Sequence, residues 1–128
     1  DVTMQVAMDD AYLASLRAAR AGEFIYDITR FYLDFHRQVH GEYACHTHDP
    51  SAIAYLIDPT LYTVEHGPVR VVTEGLAAGQ TLMDRRGEWY GPNAWTEQRA
   101  ASVCTGVDAA RVLELYRTRI LNSDQMAS

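Results

Sequence analysis

The chain has 128 residues, of which 48% are apolar and 22% charged, so it can bury one core and is neither a disordered tract nor a disulfide scaffold. Eleven basic residues face seventeen acidic ones for a net charge of -6, and every basic residue is Arg. That balance is the wrong sign for a protein that neutralises many phosphates, so nucleic acid is not an expected partner. No apolar run approaches the ~20 residues of a membrane span.

In chain order, Val2, Met4 and Val6 alternate with polar residues, which predicts a strand from the start. A strand there needs sheet neighbours on both sides, so the sequence is expected to begin partway through a larger domain. Asp9 and Asp10 suit N-caps for a helix through Tyr12, Leu13, Leu16 and Ala19, broken by Gly22. Phe24, Ile28, Phe31, Phe35 and Val39 recur at helical spacing and predict a longer helix with one strongly apolar face, stopped by Gly41. Residues 41–48 are polar and rich in His and read as a loop.

Asp49-Pro50 suits the N-cap and first position of a helix. Ala52 to Ile57 is nearly all apolar, as for a helix buried on most sides, and Asp58-Pro59 ends it. Strands are expected over Leu61–Val64, Val69–Thr73 and Gln80–Asp84, the last two joined by a hairpin loop at G-L-A-A-G. Gly87 to Thr96, with Trp89 and Trp95, reads as an irregular surface segment. A short strand over Ser102–Thr105 follows, then a helix capped by Asp108 with Val112, Leu115, Tyr116 and Ile120 inward, and a frayed tail from Asn122. Helices alternating with short strands give an α/β class.

The densest chemistry is Cys45-His46-Thr47-His48-Asp49-Pro50. In the plainest reading Asp49 caps a helix and His48 is a loop residue. A transition-metal site is a second reading, since Cys, His and Asp all bind Zn²⁺, but Cys45 points away from its neighbours and no second Cys/His pair stands at a suitable distance. In a third, the free lone pairs of a capping carboxylate bind a hard cation such as Ca²⁺ with oxygens from elsewhere, and His48 donates a proton to a substrate. Cys45 and Cys104 form no motif and read as reduced thiols that fill apolar space, in keeping with a cytoplasmic protein.

The stretch T-H-D-P-S-A-I-A-Y-L-I-D-P-T-L-Y-T (47–63) resembles the C-terminal signature of the inosine–uridine preferring nucleoside hydrolases. V-R-V-V-T-E-G-L-A-A-G-Q-T-L-M-D-R-R (69–86) resembles the hairpin after it, V-D-A-A-R-V-L-E-L-Y (107–116) the family's last helix, and D-V-T-M-Q-V a strand near the middle of the family's chain. The resemblance implies the C-terminal portion of a Rossmann-like domain: a mixed, mostly parallel sheet flanked by helices, with a β-hairpin near the C-terminus, making residues 1–128 a single incomplete domain. It implies calcium-dependent hydrolysis of ribonucleosides to base and ribose, with Asp49 as a Ca²⁺ ligand and His48 as the acid that protonates the leaving base. Tyr32 and His36, one helical turn apart, would face the base. The family's aspartate-rich motif, D-x-D-x-G-x-D-D, has no counterpart in these 128 residues. The expected partners are therefore the missing N-terminal half and further copies in a homodimer or homotetramer, and the chain by itself is expected to be inactive. The competing class is a non-catalytic α/β module that binds a ligand or partner and keeps only the fold.

Overall fold

The computed structural model describes residues 1–86 and 91–126. They fall into two compact units, one of residues 1–62 and 106–128, the other of residues 63–105. Among them no helix is long and apolar enough to cross a membrane.

In the first unit the alternating start is not yet a strand. Thr3–Gln5 is a 3₁₀ turn, and the strand β1 comes just after it at Ala7–Asp9. Asp9 caps helix α1, Asp10–Ser15, by accepting the Tyr12 N–H at 2.7 Å. A 3₁₀ turn over Leu16–Ala18 follows. The break predicted at Gly22 lies earlier, at extended Ala19, and Gly22 is inside the long helix α2, Arg20–His40. The glycine is there for space. A Cβ on it would sit 1.8 Å from the Leu16 carbonyl oxygen, so only a bare backbone lets α2 lie against the preceding turn. The Arg20 N–H at the start of α2 is satisfied by the Asp124 carboxylate at 3.1 Å, a favourable sign of charge at a helix N-terminus. Gly41 stops α2 with a φ of 76°, as expected.

The predicted loop contains a strand, β2, at Ala44–His46. It pairs antiparallel with β1, Met8 opposite Cys45 and Ala7 opposite His46. Met8, Leu13, Leu16, Leu33 and Cys45 make the core, with Ile25, Tyr26, Leu113 and Tyr116 against it. The apolar stripe of α2 is not what faces this core. Phe24, Ile28, Phe31, Phe35 and Val39 stay 47–76% exposed, and the helix buries Gly22, Leu33 and His36 instead.

Helix α3 spans His48–Ile57. Its apolar run is less covered than its composition suggests: Ser51 and Ala54 are buried, while Ile53, Leu56 and Ile57 are exposed. Asp58 ends it and caps the 3₁₀ turn Pro59–Leu61 by accepting the Thr60 N–H. Helix α4, Ala109–Leu121, is capped by Asp108 as expected, and Arg111 reaches back to the Asp58 carboxylate at 3.1 Å. Of the residues expected inward, Val112 is buried, and Tyr116 and Ile120 pack on the core. The tail is not frayed from Asn122, because Ser123–Met126 forms a further helical turn, α5.

The second unit is strand-rich. The two strands expected between Leu61 and Thr73 are one continuous strand, β3, Tyr62–Val71. Gly67 keeps it unbroken, since a Cβ there would lie 2.5 Å from the Asp84 carbonyl oxygen. Strand β4, Thr81–Met83, pairs antiparallel with β3, Val69 opposite Met83. The turn between them closes where expected, with Val72 N–H on the Gln80 carbonyl at 2.9 Å. Strand β5, Ala100–Val107, completes a sheet of order β4-β3-β5. Gly87 and Trp89 of the predicted irregular segment lie outside the described residues; Trp95 sits in a turn. The class is thus α/β, but the mostly parallel sheet is corrected to two small sheets whose β1–β2 and β3–β4 pairs are antiparallel. For β3–β4 the short connection permits only this, because a parallel pair needs a crossover of a dozen residues or more.

Gly22→Ala should lower stability by about 1–3 kcal/mol despite alanine's better helix propensity, through overpacking against Leu16; urea unfolding checks this. A second outcome concerns pH. Burial pushes the Tyr12 phenol up to about 12, and its hydroxyl donates to the Leu113 carbonyl at 2.6 Å. The unfolded chain loses this proton near 10 and the folded one only near 12, so stability falls as pH rises through that window. The urea midpoint should drop between those pH values, and drop less in Tyr12→Phe.

Candidate functional site

The first unit brings the candidate residues together through one short ladder. β1–β2 pairing is extended past His46 by the Thr47 N–H, which donates to the Val6 carbonyl at 3.1 Å. That bond ends the strand and starts α3, with fully buried Thr47 as the N-cap residue. The cap expected at Asp49 is thereby corrected. His48 is the first helical residue, Asp49 the second and Pro50 the third. Pro is tolerated there because the first-turn N–H groups have no partner within the helix. Thr47 and Ser51 are tied to each other, the Ser51 hydroxyl donating to the Thr47 carbonyl. The Tyr62 hydroxyl donates to the Ser51 carbonyl at 3.1 Å. These bonds fix the first turn on which the site sits.

His48 and Asp49 are both exposed, adjacent, and at the positive end of the helix dipole. His48 is held by its Nδ1, 2.7 Å from the Thr3 hydroxyl. When Thr3 donates this bond, the ring proton is on Nε2, the nitrogen left to face a ligand. Thr3 is a neighbour of the site that sequence reasoning did not single out: it lies 45 positions away, in a stretch read only as a strand. No partner is recorded for the Asp49 carboxylate among the described residues. It is free to ligate, but it supplies two oxygens at most, against the six to eight that Ca²⁺ takes. Among the described residues no three His, Cys, Asp or Glu side chains are arranged to hold a metal ion. By itself Asp49 could supply only part of such a coordination shell.

Tyr32 and His36 are stacked, ring centres 5.5 Å apart. Tyr32 is exposed and His36 is buried. The row continues to His46, 5.5 Å from His36, and from His46 to His48 at 6.0 Å. All the expected residues except Asp49 thus lie along one aromatic row across α2, β2 and α3. Sequence reasoning did not single out His46 for this row, although its spacing of two from His48 was visible. Burial holds His36 below the ordinary histidine range, and the nearby His46, His40 and His48 push the same way. Cys45 faces the core, and burial pushes its thiol up, which removes it as a nucleophile. Both cysteines are free. Beside Asp49, α3 and α4 enclose a cavity of about 430 Å³ lined by Ile53, Ile57, Leu115, Tyr116 and Arg119, among others.

Comparison with known proteins covers the stretch that holds these residues. The family model described as inosine-uridine preferring nucleoside hydrolase matches residues 1–114. Uridine nucleosidase 1 of Arabidopsis thaliana is 33% identical over 124 residues, 94% of this chain but 37% of the relative. The inosine-uridine preferring nucleoside hydrolase of Leishmania major is 35% identical over 89 residues, 67% of this chain and 28% of its own. Among solved structures, a plant nucleoside hydrolase superposes with a TM-score of 0.87 at 30% identity, over 94% of this chain and 39% of that one. A purine-preferring ribonucleoside hydrolase from Gardnerella vaginalis gives 0.76 at the same identity. The chain therefore spans well under half the length of these relatives, and it belongs to the inosine–uridine preferring nucleoside hydrolase family.

Proposed function

We propose that this chain is the part of a ribonucleoside N-glycosidase that delivers the leaving-group acid, His48, and one calcium ligand, Asp49. The observation that carries this reading is their placement side by side on the first turn of α3, with His48 Nδ1 engaged by Thr3. Cleavage of a ribosyl N-glycosidic bond passes through an oxocarbenium-like state. The departing base must be protonated as the bond breaks, and a water must reach the anomeric carbon from the other side. His48, with Nε2 left open by the Thr3 contact at Nδ1, would perform the first task. Tyr32, exposed on α2 and stacked on His36, offers a flat surface for a base. Bound Ca²⁺ would orient and acidify the attacking water, and Asp49 would be one of its ligands. The remaining carboxylates and the base for water belong to the aspartate-rich motif, which these 128 residues do not contain. The chain by itself is accordingly inactive, and the complete enzyme is a homodimer or homotetramer of the cytoplasm.

The test is an enzyme in which these 128 residues are joined to the aspartate-rich portion of the Arabidopsis relative, assayed for ribose release from inosine and uridine. The joined protein is active and the 128-residue chain is not. His48→Ala lowers kcat by roughly 10²–10⁴-fold with KM changed much less; equal kcat in variant and parent overturns its role. Thr3→Val removes about 1 kcal/mol of positioning, roughly a fivefold loss in kcat. Asp49→Ala raises the Ca²⁺ concentration needed for half activity, and an unchanged requirement removes it from the ligand set. No ribose release from the joined protein, despite a native fold, would favour the non-catalytic module.

A further inference from the structure

Three imidazole nitrogens are buried without a hydrogen-bond partner among the described residues: Nδ1 of His36 and both ring nitrogens of His46. Buried polar atoms are nearly always paired, so three orphans in two neighbouring rings need a physical reason. The His46 side chain is only 3% exposed, and its ring centre is 5.5 Å from that of His36. The titratable groups facing the pair come from three places. On α2 they are Tyr32, stacked on His36, and His40, 5.3 Å from His36. Before β2 there is Glu42, whose Oε2 is 3.8 Å from His46 Nε2. On α3 there is His48.

We propose that His46 is a positioning residue for His36: the two packed rings do not both carry a proton, and His36 is kept a neutral imidazole beneath Tyr32. Two imidazolium charges this close in a buried site repel strongly. Desolvation and the three neighbouring imidazoles both disfavour a charged His36, with Glu42 opposing them more weakly.

The consequence concerns the ligand, and it rests on the reading of Tyr32 and His36 as residues that face the base. A neutral imidazole has one donor and one acceptor nitrogen, whereas the imidazolium has donors only. A neutral His36 matches an uncharged heteroaromatic base that shows both donors and acceptors on its edge. A charged His36 would instead select anionic groups. His46, without touching the ligand, thereby fixes which kind of ligand the row accepts.

The test is a histidine Cε1–H titration by NMR on the 128-residue protein, which needs no catalytic activity. In the parent protein His36 stays neutral to a lower pH than the ordinary value of about 6.5, and its curve is shallower than that of a single site because it titrates together with His46. In His46→Gln the His36 midpoint moves up and the curve becomes single-site. An unchanged midpoint overturns the proposal. Should His46→Gln fail to fold, the parent curve decides: a shallow His36 curve that inflects with His46 supports the pairing, and a simple single-site curve overturns it. The base-facing reading is tested separately by kcat/KM of Tyr32→Ala in the joined enzyme, so the two can fail independently.

Discussion

The hydrogen bond from Thr47 N–H to the Val6 carbonyl is the constraint from which the rest of the site follows. It is the last rung of the β1–β2 ladder and the first event of α3. On its strand side, alternation sends Cys45 into the core beside Met8 and sends His46 to the opposite face. On its helix side, it places His48 and Asp49 on the first two positions of α3, close to Thr3. A shift of one residue in this register would put His46 into the apolar core and Cys45 against His36. The core residues and the chemical residues are therefore specified by the same pairing.

The covering of His46's face is a matter of α2. That helix has two apolar requirements, and only one is met within the described residues. Leu33 and Gly22 are packed, Gly22 because its missing side chain admits the Leu16 carbonyl. The stripe from Phe24 to Val39 is not covered. His36 lies on the packed side although it is polar, and Tyr32, one turn before it, is exposed. This split lets one helix deliver a buried, neutral ring and an accessible aromatic face at the same place.

Much of this was legible from the sequence, for local reasons. The Asp9 and Asp108 caps, the end of α3 at Asp58, the Gly41 stop and the turn at Gly75–Gly79 are set by residues within a few positions of the backbone they govern. The resemblance on T-H-D-P implies a helix that opens at this motif, and α3 starts there. What was misread depended on distant partners. Gly22 looked like a breaker because nothing local shows that Leu16 lies against it. Asp49 looked like a cap because Asp-Pro usually is one, yet Val6 anchors Thr47 and moves the helix start two residues earlier. The strand Ala44–His46 was hidden in a polar run because it is short and its partner precedes it by a whole helix. The mostly parallel sheet came from the family as a whole, while these elements pair antiparallel.

A similar argument explains why α3 looked buried. Its composition says that its faces belong against apolar surface, but not which surface. In this chain one face meets α4 across a cavity beside Asp49, and Ile53, Leu56 and Ile57 remain accessible. The site residues sit at the N-terminal end of this helix, where the backbone N–H groups have no partner within the helix. An anionic side chain is stabilised there, so the proposed role of Asp49 as a ligand needs no paired cation from the protein. Holding that carboxylate with a helix end rather than with an Arg leaves its oxygens open. The same choice leaves His48, one residue earlier, to be oriented by an uncharged partner. A hydroxyl such as that of Thr3 can accept or donate, so it holds the ring in either protonation state, as the proposed leaving-group acid requires.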